Sequence, residues 1–302
     1  MPTNTGADAV LEGLRSPNVF NPKTIGEAVA VKLKNPNACF WAGGTYIMSR
    51  PGFYPNPSQR DIISLKGVAD LTKVYHSDRF IEVGSMVTIQ QLANMGGYLF
   101  SHELNDAIAA IGSSVIRNQA TVGGSLCTSS MRFSLCCILA TLNAQVELKM
   151  VSKSAPSKWM PITKLYDRKG SFVFEGEALL TKIRIPTDAK QFQVFKSIGL
   201  PMQKPNEAVV FGLQYSINQA NIMLPSMCMV FPSSCFYMSQ DFDNLLASIN
   251  LPLTADRMLK ISKRLVTELK SASLNASPLQ LERASRLFES VLSEINTMFL
   301  AG

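Results

Sequence analysis

Two stretches of this 302-residue chain have the composition of a binding site: Phe40-Trp41-Ala42-Gly43-Gly44-Thr45-Tyr46-Ile47, and Thr121-Val122-Gly123-Gly124-Ser125 with Thr128 close behind. Neither contains an acid, a histidine or a lysine, so neither offers a proton-transfer group. What paired glycines offer is backbone, because without a Cβ the chain can bring N–H groups together around an anion. Thr45, Thr121, Ser125 and Thr128 add hydroxyl donors. The chemistry implied is phosphate binding, and two such loops can close on the diphosphate of one elongated ligand. Read singly, each pair also fits an ordinary turn. Neither is the fingerprint of a classical nucleotide fold: no G-x-G-x-x-G opens a helix and no P-loop lysine follows.

Other chemistries find little support. Cys39, Cys127, Cys136, Cys137, Cys228 and Cys235 lack C-x-x-C spacing, and His76 and His102 are isolated. That pattern argues against a disulfide framework, a structural zinc or an iron–sulfur cluster, and predicts six buried, reduced thiols. The net charge of +7 comes from scattered Lys and Arg without interleaved aromatics, which predicts no nucleic-acid partner. No window of 18 apolar residues is present, and the first residues lack a signal-peptide pattern, so neither membrane insertion nor export is expected and the cytoplasm is the expected location.

The elements that must carry the loops can be read from periodicity and caps. Thr24–Lys34 has a threonine cap and helical apolar spacing, and "CFWAGG" reads as a short strand running into the first glycine loop. "RDIISLKGV" reads as another strand. "RFIEVGSMVTIQQLANM" reads as strand, Gly84 turn and helix beginning near Thr88, and "NDAIAAIG" as a further helix. The second glycine pair is likewise read as following a strand. "EALLTKIRIP" closes this part as a strand ending at Pro186. Beyond it, "FQVFKSIG", "EAVVFGLQYSI", "NIMLPSMCMVF" and "SCFYMSQ" read as successive antiparallel strands. Two long helical patterns finish the chain, the last with Ser277-Pro278 as cap and first-turn proline.

The order of these motifs carries a resemblance. Ala-Gly-Gly-Thr at 42–45, "IEVGSMVTIQQL" at 81–92, "IRNQATVGGSL" at 116–126, "LLTKIRIP" at 179–186 and the ending "LERASRLFESVL" resemble the FAD-binding subunit of molybdenum hydroxylases, the family of the carbon monoxide dehydrogenase medium subunit and the xanthine dehydrogenase flavin domain. The resemblance implies an α+β fold: a two-part FAD-binding α/β domain of the PCMH or vanillyl-alcohol-oxidase type over 1–187 (parts about 1–76 and 77–187), then a C-terminal antiparallel sheet plus helix bundle over 188–302. It implies FAD as cofactor, no catalytic acid or base in this chain, and no metal ligand. It also implies partner chains, a [2Fe-2S] ferredoxin-like subunit and a molybdopterin-binding subunit, with NAD as a possible acceptor. Carried over residue by residue, it assigns Phe40 to Ile47 and Thr121 to Ser125 with Thr128 to the diphosphate. Ile111, Leu179 and Lys196 fall to the flavin side.

The chain departs from the family pattern at identifiable places. Ser134 stands where relatives commonly have an FAD-contacting Asp, Tyr46 replaces a frequent acidic residue, and Gln203–Val210 differs from the usual ring-side segment. A charged hydrogen bond contributes roughly 1.5–3 kcal/mol, so losing one weakens a cradle of several donors without abolishing it. Two readings stay open from sequence alone: an electron-transferring flavin subunit, or a flavin-poor relative kept as an assembly subunit.

Overall fold

The computed structural model describes residues 17–49, 61–99, 105, 108, 111–128, 133–152, 156–167, 170–174, 176–187, 190–201, 203–232, 235–272 and 274–301. Of the helix expected at "NDAIAAIG", Asn105, Ile108, Ile111 and Gly112 are among them, the first two helical, and the other four positions lie outside.

The chain begins with a three-stranded parallel sheet, order β1 (Val19–Phe20), β3 (Ile62–Ser64), β2 (Cys39–Trp41), covered by α1 (Ile25–Lys34). The expected cap is present: the Thr24 hydroxyl accepts from the Glu27 N–H at 3.1 Å, which satisfies one of the unpaired donors of the first turn. Ala28, Ala38, Ile63, Leu65, Val68 and Leu71 form the core of this layer. At the other end of α1, Lys32 is buried and its Nζ donates to the carbonyls of Pro36 and Ala38 at 2.7 and 2.6 Å. Those bonds satisfy a charge that would otherwise be stranded.

The second layer is a five-stranded antiparallel sheet in the order β4 (Val74–His76), β5 (Phe80–Gly84), β8 (Ala178–Pro186), β6 (Gln145–Met150), β7 (Ser157–Pro161). Alternation divides its faces. Ile81, Val83, Val146, Leu148, Ile183 and Ile185 point into the largest core. Glu82, Lys182 and Arg184 point outward as an ion-pair cluster, with the Arg184 guanidinium 4.3 Å from the Phe80 ring centroid and 4.0 Å from that of Trp159. The N-terminal layer packs at one end of this sheet. A Cβ on Gly84 would lie 2.2 Å from the Leu71 carbonyl oxygen, so this contact requires glycine.

Helices α3 (Ile89–Leu99), α4 (Ser114–Gln119), α5 (Val122–Leu126) and α6 (Phe133–Thr141) cover the inner face of that sheet. Thr88 and Gln91 cap α3 reciprocally, each side chain accepting from the other's N–H, at 3.1 and 2.9 Å. Leu135 to Ala140 of α6 are all buried, which suits a helix apolar on every side. Its far side meets a four-stranded antiparallel sheet, order β12 (Cys235–Tyr237), β11 (Asn221–Phe231), β10 (Val209–Asn218), β9 (Phe192–Ile198). The approach is close enough that a Cβ on Gly212 would sit 2.2 Å from Thr141 Oγ1. The opposite face of this sheet is covered by α7 (Gln240–Ala247), α8 (Ala255–Ser271) and α9 (Pro278–Ala301), through Phe242, Leu265, Leu269, Phe288, Val291 and Ile295.

Three thiols, Cys136, Cys137 and Cys228, are buried as expected, but Cys127 is exposed and Cys39 half-buried. Burial pushes the Cys136 and Cys228 thiols far up, so both stay protonated. Among the described residues no helix is long and apolar enough to cross a membrane. No group of three His, Cys, Asp or Glu side chains there could hold a metal.

Candidate functional site

The two glycine stretches, some 80 positions apart in the chain, meet in space. A Cβ on Gly43 would lie 1.9 Å from the carbonyl oxygen of Gln119, and one on Gly124 would lie 3.5 Å from the Ala42 Cβ. The first loop leaves the carboxyl end of β2 and the second stretch sits on the helical cover of the five-stranded sheet, so the contact joins the first two layers.

The first loop has the geometry its composition suggests. Gly44 adopts φ +70°, ψ −5°, a left-handed conformation that disfavours any other residue, and the chain then turns into the short helix α2 (Thr45–Met48). No described residue accepts from the N–H groups of Gly43, Gly44 or Thr45, and Gly44 makes no side-chain cap bond. The Thr45 hydroxyl is also without a partner among the described residues. Consecutive open N–H groups beside a hydroxyl form a nest for phosphate oxygens.

The second stretch is built otherwise. It follows not a strand but the carboxyl end of α4, and the glycines form the first turn of α5. Thr121 is the N-cap, its hydroxyl accepting from the Gly124 N–H at 3.0 Å. The Val122 N–H donates to the Val87 carbonyl at 2.9 Å, that of Gly123 to Ser85 at 2.8 Å, and that of Ser125 to Thr121 at 2.9 Å. Four amides expected to face an anion are therefore already engaged. Gly123 is required because a Cβ would fall 2.5 Å from the Ser85 Cβ, and Thr128 Oγ1 donates to the Gly124 carbonyl at 2.8 Å. What this stretch offers a ligand is the smooth surface of Gly124 and the Ser125 hydroxyl, which has no partner among the described residues.

The remaining residues picked from the sequence scatter. Ile111 is half-buried against the large core and Ser134 half-buried in the first turn of α6. Leu179 is 3% exposed and packs on Ala38, Ile63 and Leu71, which makes it the apolar joint between β8 and the N-terminal layer rather than an open contact surface. Lys196 shares its side of β9 with Val194 and Ile198, facing the helices, and ion-pairs with Glu294 of α9. Ser85, whose carbonyl anchors Gly123, escaped sequence reading, although its place directly after the Gly84 turn was a usable signal. An open groove of about 620 Å³ on the outer face of the five-stranded sheet is lined by none of these residues; its Lys73 pairs with Asp70, its Lys182 with Glu82, and its Thr181 hydroxyl donates to Glu147.

Comparison with known proteins now fixes the class. Residues 14–188 match the family described as FAD binding domain in molybdopterin dehydrogenase, and the chain belongs to it. It is 26% identical over 212 residues to the nicotinate dehydrogenase FAD-subunit of Eubacterium barkeri, covering 67% of this chain and 70% of that one. It is 24% identical over 173 residues to the xanthine dehydrogenase FAD-binding subunit of Escherichia coli O157:H7, covering 56% of this chain and 57% of that one. The fold is that of a chain of quinoline 2-oxidoreductase from Pseudomonas putida 86, with TM-score 0.75 at 18% identity over 93% of this chain and 97% of that one. It is also that of a chain of carbon monoxide dehydrogenase from Hydrogenophaga pseudoflava, with TM-score 0.74 at 13% identity over 93% and 96%. The likeness extends over the C-terminal sheet and helices. The chain is thus an FAD-binding component of the molybdopterin dehydrogenase family, part of a flavin oxidoreductase.

Proposed function

We propose that this chain is the electron-transfer flavin subunit of a molybdenum hydroxylase-like complex, and that its first glycine loop grips the FAD diphosphate. The observation that carries this reading is the run of open N–H groups at Gly43, Gly44 and Thr45, set against Gly124 and the Ser125 hydroxyl. These groups suit phosphate oxygens, and the missing Cβ atoms leave room for close approach. The second stretch contributes shape and one hydroxyl, while its amides hold α5 in place. In this reading 1–187 is the FAD-binding domain, and the helices of 188–302 close the fold or contact a partner. FAD, when bound, supplies the redox chemistry, and the chain's own part is to bind, orient and shield it.

Electrons reach FAD from the iron–sulfur centres of a [2Fe-2S] partner chain and, ultimately, from a molybdopterin-binding partner chain; an acceptor such as NAD receives them. The complex works in the cytoplasm. The test is the visible spectrum of the purified chain after FAD addition and desalting. Retained bands near about 370 and about 450 nm, set by the cofactor, are expected. Co-expression with ferredoxin-like and molybdopterin-binding chains should then yield a complex in which substrate bleaches those bands. A chain that stays colourless would mean that Tyr46, Ser134 and the engaged second stretch have left too few contacts, and that the protein assembles a complex without carrying its electrons.

A further inference from the structure

We propose that Trp41 is a positioning residue for the diphosphate loop: its indole holds Gly44 in the left-handed conformation that presents the loop's N–H groups before any ligand arrives. The inference rests on the FAD reading of that loop. A Cβ on Gly44 would lie 2.7, 2.8 and 2.9 Å from Cζ2, Cε2 and Nε1 of Trp41, so the ring lies in van der Waals contact with the glycine backbone. From another side the loop is met by the Gln119 carbonyl, 1.9 Å from where a Gly43 Cβ would be. The loop is clamped between an indole and a peptide group.

Along β2, Phe40 packs against the N-terminal core, and Trp41, the next residue, turns to the other side of the sheet. Trp41 belongs to none of the three cores found among the described residues and is only half-buried. Its cross-strand partner is the small Ser64, which leaves the indole space to lie over the loop. A glycine freed of that contact samples many conformations, and ordering it on binding lowers affinity, whereas a loop fixed beforehand avoids that cost.

The test is calorimetric titration of FAD into the flavin-stripped full chain, for wild type, Trp41→Leu, Trp41→Phe, Gly44→Ala and the Trp41→Phe/Gly44→Ala double variant. Trp41→Leu should weaken binding by about tenfold or more while the melting midpoint of the ligand-free protein stays within about 2 °C of wild type. Trp41→Phe should recover most of the affinity, since a ring still covers the glycine. Gly44→Ala should harm wild type more than it harms Trp41→Phe, because the smaller ring clears the new Cβ, and this non-multiplicative pairing is what direct contact predicts. Trp41→Leu binding FAD as wild type does would overturn the inference. So would a melting midpoint that collapses together with the affinity, or strictly multiplicative defects. Wild type that binds no FAD would remove the cofactor reading and the inference together; wild type that binds while Trp41→Leu is unaffected removes the inference alone.

Discussion

Asp243 is a carboxylate placed where a carboxylate is costly. It is 8% exposed, in the first turn of α7, and its Oδ1 accepts from the Met227 N–H at 3.0 Å. Burial raises its pKa from 3.8 to about 7, against a smaller lowering by that N–H. The folded chain therefore holds this proton more tightly than the unfolded chain does. The stabilisation is complete below the unfolded pKa and drains away as pH rises toward the folded one. Between pH 4 and 7 wild type should lose stability relative to Asp243→Asn, by up to about 1.4 kcal/mol per pH unit. An amide keeps the acceptor for Met227 without the charge. Melting curves at pH 5 and 8 check this: the interval should shrink in the variant, and an equal interval would show that Asp243 is not the group responsible. At this scale the glycine pairs were legible in the sequence, since a missing Cβ is a property of the residue itself. Which amides remain open was not, because that depends on carbonyls of Ser85 and Val87 more than thirty positions away. The fate of Lys196 likewise hangs on Glu294, 98 positions on.

Elements announce themselves by their ends. Thr24, Thr88 and Ser277 each cap the helix that their neighbourhood suggests, because a cap is a local bond between residues three apart. The α4–α5 corner was hidden for the opposite reason: Gly-Gly is a poor helix former, and the Thr121 cap and the distant Val87 and Ser85 carbonyls help to hold it helical. The start of α9 shows how a cap can also bind a distant segment. Gln280 accepts from the Ser277 N–H and donates to the carbonyls of Pro205 and Ala208, each at 2.9 Å, while the Ser277 hydroxyl donates to Asn206 at 2.7 Å. The Gln203–Val210 segment is thereby tied to the last helix. Gln280→Ala removes the amide donor of the buried Ala208 carbonyl and should cost about 1–3 kcal/mol, seen as a drop of several degrees in melting temperature; an unchanged midpoint would mean that water replaces the amide.

On the scale of the whole molecule, the antiparallel C-terminal sheet and its two long helices were readable from period and turn signals. The placing of α6 between two sheets was not, since a helix apolar on every side has no face that names its partner. The same layering has a ligand consequence. A diphosphate held between the first loop and Gly124 would bridge the N-terminal layer and the sheet behind it, so FAD should stabilise the whole chain. At a free concentration one hundred times its dissociation constant the gain is about 2.7 kcal/mol. Thermal melting against FAD concentration should therefore climb without levelling once the site fills, and a midpoint indifferent to FAD would argue that no such bridge forms.

The stacking of Arg184 between Phe80 and Trp159 has an optical side. The chain has two tryptophans. Trp159 is fixed beside a guanidinium on the outer face of the five-stranded sheet, and Trp41 lies against the first glycine loop. Replacing either leaves a single emitter whose fluorescence speaks for one place only. The protein thus carries two built-in dyes, one at the loop and one on the sheet's outer face, and needs no added label to report on either.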